Sequence, residues 1–437
     1  MTELLDFSPE AVAAKLRDLG VSRFALTWDD AAGRLAASHP ALEPLARAIE
    51  ADARDFDRHE GLFVSVAPGT GVLQSAVVHR TCRGQAAGGV RYWRYDTFRD
   101  FLRDGLRLAR GMTHKNALAG IWWGGGKGVM ARGTGRDDGT PGFRRRVYEE
   151  FGALVSSLGG CYVTAEDVGT SVEDMAAVFS RTRFTTCIPP ELGGSGNPSV
   201  PTALGVVRGM EAALRHRGMG TLAGKTVAIQ GLGHVGTPLV GYLAERGVAA
   251  VVGADVDPGR EADLRARFPG LKLTVRTVPR GDASILSEPA DVVSPCATGA
   301  ILGPATIPAI RAPIVCGAAN NQLEDPARDD AALAARGITY LPDFLVNRMG
   351  IVTCADEQYG YVDRDPSIAR HLGDDWENGV YRLSLSVLEE AKRTGRTPHR
   401  IALELAEARS REPHPVWGHR GRLIIRSLVE RGWGEGR

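Results

Sequence analysis

Hydrophobic positions along this chain follow two rhythms, and the change from one to the other divides it. Over residues 21–28 apolar and polar side chains alternate, as in a strand with one buried face. The apolar runs at 62–66 and 75–79 also read as strands. Ser8 followed by Pro9 marks a helix start that the spacing carries to Leu16. Phe101, Leu102, Leu106 and Leu108 supply helical apolar positions over 100–108. A polar stretch from Arg132 to Gly142 reads as a surface excursion, and the Pro-, Gly- and Ser-rich stretch 189–201 as a domain boundary. Beyond it, 202–216 is helical and 225–230 is a buried strand. Strand and helix patterns then alternate to about Leu341, as in a parallel sheet with crossover helices. Helical spacing returns at 380–391 and 401–408.

A chain of 437 residues exceeds one typical core, so two α/β domains are expected. A net charge of +1 gives no electrostatic basis for binding nucleic acid or an acidic membrane. No apolar run approaches the roughly 18 residues of a spanning helix. The first residues lack the basic and apolar regions of a secretory signal. The six cysteines form no C-x-x-C pair, so reduced thiols, a cytoplasmic location and no metal site are expected.

The chemistry concentrates in a few places. Lys115 lies in a mostly small or apolar run, and Lys127 follows Gly124, Gly125 and Gly126, which let backbone and ligand approach closely. Desolvation disfavours a charged lysine, so either is a candidate acid/base or Schiff-base amine; the plain alternative for Lys127 is a surface lysine on a glycine loop. A carboxylate pair, Glu166 and Asp167, ends a short apolar run, with Asp167 alternatively a helix cap. Gly231, Leu232, Gly233, His234, Val235 and Gly236 form a G-x-G-x-x-G turn between a strand and a helix, the setting that binds a dinucleotide pyrophosphate. About twenty residues on, Asp255 ends the next strand, where a carboxylate accepts from ribose hydroxyls and repels a 2′-phosphate, so NAD is favoured over NADP.

These motifs stand in one order with Gly88-Gly89-Val90-Arg91, the run 109–117, Gly194–Ser199 and Ala319–Leu323. In that order the chain resembles the glutamate/leucine/phenylalanine/valine dehydrogenase family, most closely its leucine and phenylalanine branch. The resemblance implies a mixed-sheet substrate and oligomerisation domain beside a Rossmann-type NAD-binding domain. It suggests an N-terminal extension over 1–55, a substrate domain over 56–200, a nucleotide domain over 201–355, and helices over 356–437 packing back on the first domain. The implied reaction is reversible oxidative deamination of an L-amino acid to a 2-oxo acid and ammonium, by a homo-oligomer. Lys127 would be the acid/base and Asp167 would assist proton transfer. Lys115 would bind the α-carboxylate, the Gly88 carbonyl would lie near the substrate amine, and Met112 would also contact the substrate. Asn320 would serve substrate or nicotinamide, and Asn321, Thr202, Ala297 and Thr298 would line the cofactor.

Where the glutamate branch holds a side-chain carboxylate with a lysine and a serine, this chain has Ala87 and Cys354, with Ile351 three residues earlier. An unpaired glutamate carboxylate there would cost on the order of several kcal/mol, so an apolar substrate, branched-chain or aromatic, is expected. The ranking stays open, because a methylene in an apolar pocket discriminates by only about 1–3 kcal/mol. Two other readings remain: an enzyme of secondary metabolism acting on an unusual aromatic amino acid, and a catalytically silent nucleotide-sensing relative using residues 1–55 as an interaction module.

Overall fold

The structure, a computed structural model, describes residues 2–133, 140, 142–360 and 362–435. Most of the expected polar excursion therefore lies outside the described residues. The chain forms two compact units. Unit 1 comprises Met1–Asn197, Cys354–Val362 and Ala406–Arg437; unit 2 comprises Pro198–Thr353 and Asp363–Leu405.

Unit 1 is built on a mixed eight-stranded sheet: β1 (Arg23–Asp29), β2 (Arg34–Ala37), β3 (Gly61–Val66), β4 (Leu73–Arg80), β5 (Ala86–Ala87), β6 (Val90–Trp93), β7 (Gly124–Ala131) and β8 (Tyr162–Val163). The order is β2-β1-β3-β4-β7-β5-β8, with β6 also on β7. One edge of β7 runs antiparallel to β4. Along the other edge β5 pairs with Gly124 and Gly125, and β6 with residues 128–131. The Gly88–Gly89 step between β5 and β6 thus falls beside Gly126 and Lys127. Helix Phe98–Ala119 starts at Thr97, whose hydroxyl accepts from the Asp100 N–H at 3.1 Å, and ends at Gly120 in the left-handed region. It lies close on the sheet at Gly105, where a Cβ would come within 2.8 Å of Val77 Cγ2.

Residues 1–55, expected as an extension, are part of this unit. β1 pairs with β3 from Arg23↔Ser65 to Thr27↔Gly61, and Leu16, Phe24, Leu26 and Leu45 share one core with Leu62, Val77, Phe101 and Val129. The alternation over 21–28 shows a buried face but not which strand completes the pairing. Of the tail expected to return to the first domain, Cys354–Val362 and Ala406–Arg437 group with unit 1, and Asp363–Leu405 with unit 2.

Unit 2 carries a six-stranded parallel sheet: β9 (Thr226–Gln230), β10 (Ala250–Asp255), β11 (Leu273–Thr277), β12 (Val292–Pro295), β13 (Ile314–Val315) and β14 (Thr339–Tyr340). The order β11-β10-β9-β12-β13-β14 reverses between β9 and β12, and ligands bind beyond the carboxyl ends of strands at such a reversal. Helix Val380–Thr394 packs against helix Ser199–His216. No helix among the described residues is long and apolar enough to cross a membrane.

Candidate active site

In unit 1, Lys127 stands on a strand rather than a loop, and its glycines serve the packing of protein on protein. A Cβ on Gly125 would lie 2.0 Å from Thr113 Oγ1 in helix Phe98–Ala119, and one on Gly126 2.7 Å from the Tyr162 ring. The ligand-approach role expected for them is replaced by a structural one: layers on both faces of β7 close in and leave Lys127 only 3% exposed.

Lys127 Nζ lies 2.6 Å from Asp167 Oδ2. Burial lowers the lysine's pKa; Asp167 opposes that shift and the Arg91 charge adds to it. Asp167 is shifted the other way relative to its own burial, which alone would raise its pKa. Lys127 and Arg91 outweigh that and hold it well below the usual carboxylate range. The result is a dry lysine beside a firmly ionised carboxylate, able to take or return one proton at Nζ.

The other residues expected at the substrate divide between the two units. Lys115 and Met112 are half-buried on helix Phe98–Ala119. Gly88 is packed so tightly that a Cβ would fall 1.9 Å from Gly126 O and 2.9 Å from Met112 Cγ. Its carbonyl accepts from Tyr162 OH at 2.6 Å, so one lone pair of the oxygen expected near the substrate amine is engaged. Ala87, 1% exposed, pairs in register with Gly125 and Val163. Cys354, 2% exposed, holds its Sγ 3.2 Å from Cys187 Sγ. Glu357 accepts from the N–H groups of Cys187, Ile188 and Ser195 and from the Ser195 hydroxyl, which fixes the course of that loop. Ile351 and Asn320 belong to unit 2.

Three groups close to the Lys127–Asp167 pair were not singled out from the sequence. Arg91 donates to Asp167 and to Asp104, and Tyr95 OH donates to Asp104 in turn. Their separation in the chain hid the connection; the only signal was arginine in Gly88-Gly89-Val90-Arg91. Glu166 is the fourth, visible as half of a carboxylate pair but given no role. Burial, then the Asp167 charge, raises its pKa to about 7, and its Oε2 is buried without a hydrogen-bond partner.

In unit 2 the glycine turn has the form a dinucleotide requires. Gly231 takes φ 84° at the end of β9 and donates to Ala254 O at 2.8 Å. A Cβ on Gly236 would lie 2.1 Å from Gly231 O, so helix Gly236–Glu245 begins tight on the turn. A Cβ on Gly233 would meet nothing within 4 Å, which leaves that backbone bare to an incoming group. His234 is exposed and Val235 half-buried, whereas the Leu232 side chain is fully buried core. Asp255, closing β10, accepts from Leu232 N at 2.6 Å and Asp257 N at 2.9 Å, one on each oxygen. Each oxygen keeps a second lone pair for a ribose hydroxyl. Ala297 and Thr298 are exposed just after β12, and the Thr202 hydroxyl donates to Pro198 O at 2.8 Å. Asn320 Oδ1 accepts from Asn347 at 2.9 Å, and Asn321, at φ 52°, donates its N–H to Asp343 at 3.0 Å. These residues fit a dinucleotide. No group of three or more His, Cys, Asp or Glu among the described residues is disposed to hold a metal ion.

A parallel sheet with a bare glycine turn at its order reversal, joined in one chain to a sheet bearing a desolvated lysine, defines a nicotinamide-dependent dehydrogenase of the α/β class. Family models described as Glu/Leu/Phe/Val dehydrogenase, dimerisation domain, and as Glutamate/Leucine/Phenylalanine/Valine dehydrogenase match residues 70–184 and 193–258. A leucine dehydrogenase from Geobacillus stearothermophilus is 41% identical over 293 residues, covering 67% of this chain and 76% of the relative. A valine dehydrogenase from Streptomyces coelicolor is 39% identical over 367 residues, covering 83% and 94%. The crystal structure of L-tryptophan dehydrogenase from Nostoc punctiforme matches with TM-score 0.64 and 32% identity, over 80% of this chain and 96% of that one. The chain belongs to the glutamate/leucine/phenylalanine/valine dehydrogenase family.

Proposed function

We propose that this protein is an NAD-dependent L-amino-acid dehydrogenase that reversibly converts an apolar L-amino acid and water to the 2-oxo acid and ammonium. The observation that carries this is the buried Lys127–Asp167 pair, since a lysine whose pKa burial lowers is the base that imine hydrolysis needs. Lys127 takes a proton from the water that attacks the imine carbon and returns it to the departing amine. Asp167, kept ionised, orients that lysine and shares the proton's path. Lys115 holds the α-carboxylate, with Gly88 and Met112 shaping the space beside it, and Asn320 serves the nicotinamide end. Gly231–Gly236 hold the pyrophosphate, Asp255 the ribose, and Thr202, Ala297, Thr298 and Asn321 the nicotinamide end. Bound NAD supplies the hydride acceptor.

The side-chain end of the substrate meets Ala87 and Cys354 of unit 1, neither of which offers a partner to a carboxylate. That excludes glutamate and accepts leucine, valine or an aromatic amino acid. The leucine and valine dehydrogenase relatives favour a branched chain, while the likeness to a tryptophan dehydrogenase favours an aromatic one. The enzyme works as a homo-oligomer in the cytoplasm, with unit 1, which contains the matched dimerisation domain, as the assembling part.

The test is a screen of the twenty L-amino acids at alkaline pH, with NAD and NADP in parallel, reading absorbance of the reduced cofactor. Lys127→Ala serves as control, expected to lose turnover while still binding NAD. Activity with glutamate alone, or a Lys127→Ala enzyme retaining more than about a few per cent of the rate, would overturn the reading. No turnover of any amino acid would leave the nucleotide-sensing alternative.

A further inference from the structure

Arg91 lies in register with Val129, two residues beyond Lys127 on β7, so alternation puts both side chains on the sheet face covered by helix Phe98–Ala119. Its Nε is 3.2 Å from Asp167 Oδ2, the same oxygen that Lys127 Nζ approaches at 2.6 Å. Its Nη1 is 3.0 and 3.1 Å from the two oxygens of Asp104 on that helix. Tyr95 OH donates to Asp104 Oδ2 at 2.6 Å. Two cations and two carboxylates therefore form one neutral, largely buried chain, Lys127–Asp167–Arg91–Asp104, closed by a tyrosine.

We propose that Arg91, clamped by Asp104 and Tyr95, is a positioning residue that sets the proton balance of Lys127 without touching substrate. This rests on Lys127 being the acid/base of the reaction. Arg91 shares the Asp167 oxygen with the lysine, so its fixed charge opposes protonation of Nζ and keeps Asp167 ionised. Asp104 partly cancels that charge. The two effects on Lys127 are therefore opposite in sign, as the burial-lowered lysine shows: the Arg91 charge lowers its pKa further and the Asp104 charge raises it. The other groups facing the pair are Glu166 and Tyr162. Each interacts electrostatically with Asp167, and neither belongs to the clamp.

Removing each clamp charge should therefore move the same titration in opposite directions. In the deamination direction, the limb of kcat/KM that rises with pH reports the neutral lysine. Arg91→Gln should shift that limb up by about one pH unit, because a cation within ~4–6 Å has been removed. Asp104→Asn should shift it down by about half a unit, because Arg91 is left uncompensated. Tyr95→Phe keeps every charge and should leave the limb in place, while Arg91→Lys should restore part of the Arg91→Gln shift. All variants are measured as full-length protein with saturating cofactor, beside their melting temperatures.

A structural role alone would lower kcat and melting temperature without opposed shifts. Shifts of the same sign, no shift in either charge variant, or a shift in Tyr95→Phe as large as theirs would overturn the proposal. Should Arg91→Gln fail to fold, Asp104→Asn still decides it, since the downward shift is required. Lys127→Ala separates the two levels. If it leaves the limb and the rate intact, the lysine assignment is wrong; if it abolishes them while the clamp variants shift nothing, only the role of Arg91 is wrong.

Discussion

Glu166 and Asp167 are neighbours in the chain and opposites in charge behaviour. Asp167 has Lys127 at 2.6 Å and Arg91 at 3.2 Å and stays ionised; Glu166, with one oxygen buried and unpaired, is pushed up to about 7. Two carboxylates this close ionise together only where cations compensate both. The cations here all face the second one.

Glu166 should therefore make stability depend on pH around neutrality. Its folded pKa lies above the ordinary glutamate value, so the folded state binds the extra proton between about 4.5 and 7. The contribution is fully present below that window and is lost as pH rises through about 7. With allowance for partial solvent screening, the loss is about 1–2 kcal/mol. Glu166→Gln should remove the dependence, so that the variant gains on the wild type between pH 5 and pH 8 in urea titrations. Parallel stability curves for the two proteins would mean that Glu166 titrates normally.

Asp255 does two things at once, and a substitution there must be read for both. It accepts backbone N–H bonds from Leu232 and Asp257, so Asp255→Ala should cost about 1–3 kcal/mol in unit 2 by leaving those donors without their acceptor. As the proposed reader of the ribose, it should also discriminate against a 2′-phosphate. The expected result is a ratio of kcat/KM for NAD over NADP reduced tenfold or more. A lowered melting temperature with an unchanged ratio would leave Asp255 only its structural role.

What could be read from the sequence, and what could not, follows the range of the interactions. Lys127, the carboxylate pair and the glycine turn with Asp255 are local motifs, and the glycine turn and Asp255 also close strands β9 and β10, whose apolar runs are visible. The family resemblance added their order. Arg91, Asp104 and Tyr95 escaped because their meaning lies in contacts across β6, β7 and a helix, which no local window contains. Lys127 on a strand was masked by glycines that are poor strand formers in isolation, yet are required here by Thr113, Tyr162 and Phe151 on the two faces. Residues 1–55 showed their own alternation, but the pairing of β1 with β3 is a tertiary fact.

That pairing decides the outcome of truncation. Starting the chain at Asp55 would strip β1 from β3 and uncover the core around Leu62, Phe101 and Leu106. The truncated protein should be insoluble or strongly destabilised. The milder variant Leu26→Ala, at a fully buried position, should cost about 2–5 kcal/mol and leave the substrate ranking unchanged. A shift in ranking from that variant would tie residues 1–55 to substrate selection.

Ala87 offers the sharpest test of how substrates are chosen. It is 1% exposed on the two-residue strand β5, held between Gly125 of β7 and Val163 of β8. Its neighbour Gly88 is too tightly packed against Gly126 to move away. Added bulk at 87 must therefore go where its own Cβ points, into whatever space the substrate side chain uses if the assignment is right. Ala87→Leu should cut kcat/KM for phenylalanine more than for valine, by tenfold or more, as the enlarged side chain closes the far end of an apolar pocket. Overpacking of the strand would by contrast cost about 1–3 kcal/mol of stability and slow both substrates alike. The decisive quantity is the phenylalanine-to-valine ratio in wild type and variant, taken beside their melting curves. A constant ratio with a lowered melting temperature would place Ala87 in the sheet's packing and remove it from the pocket.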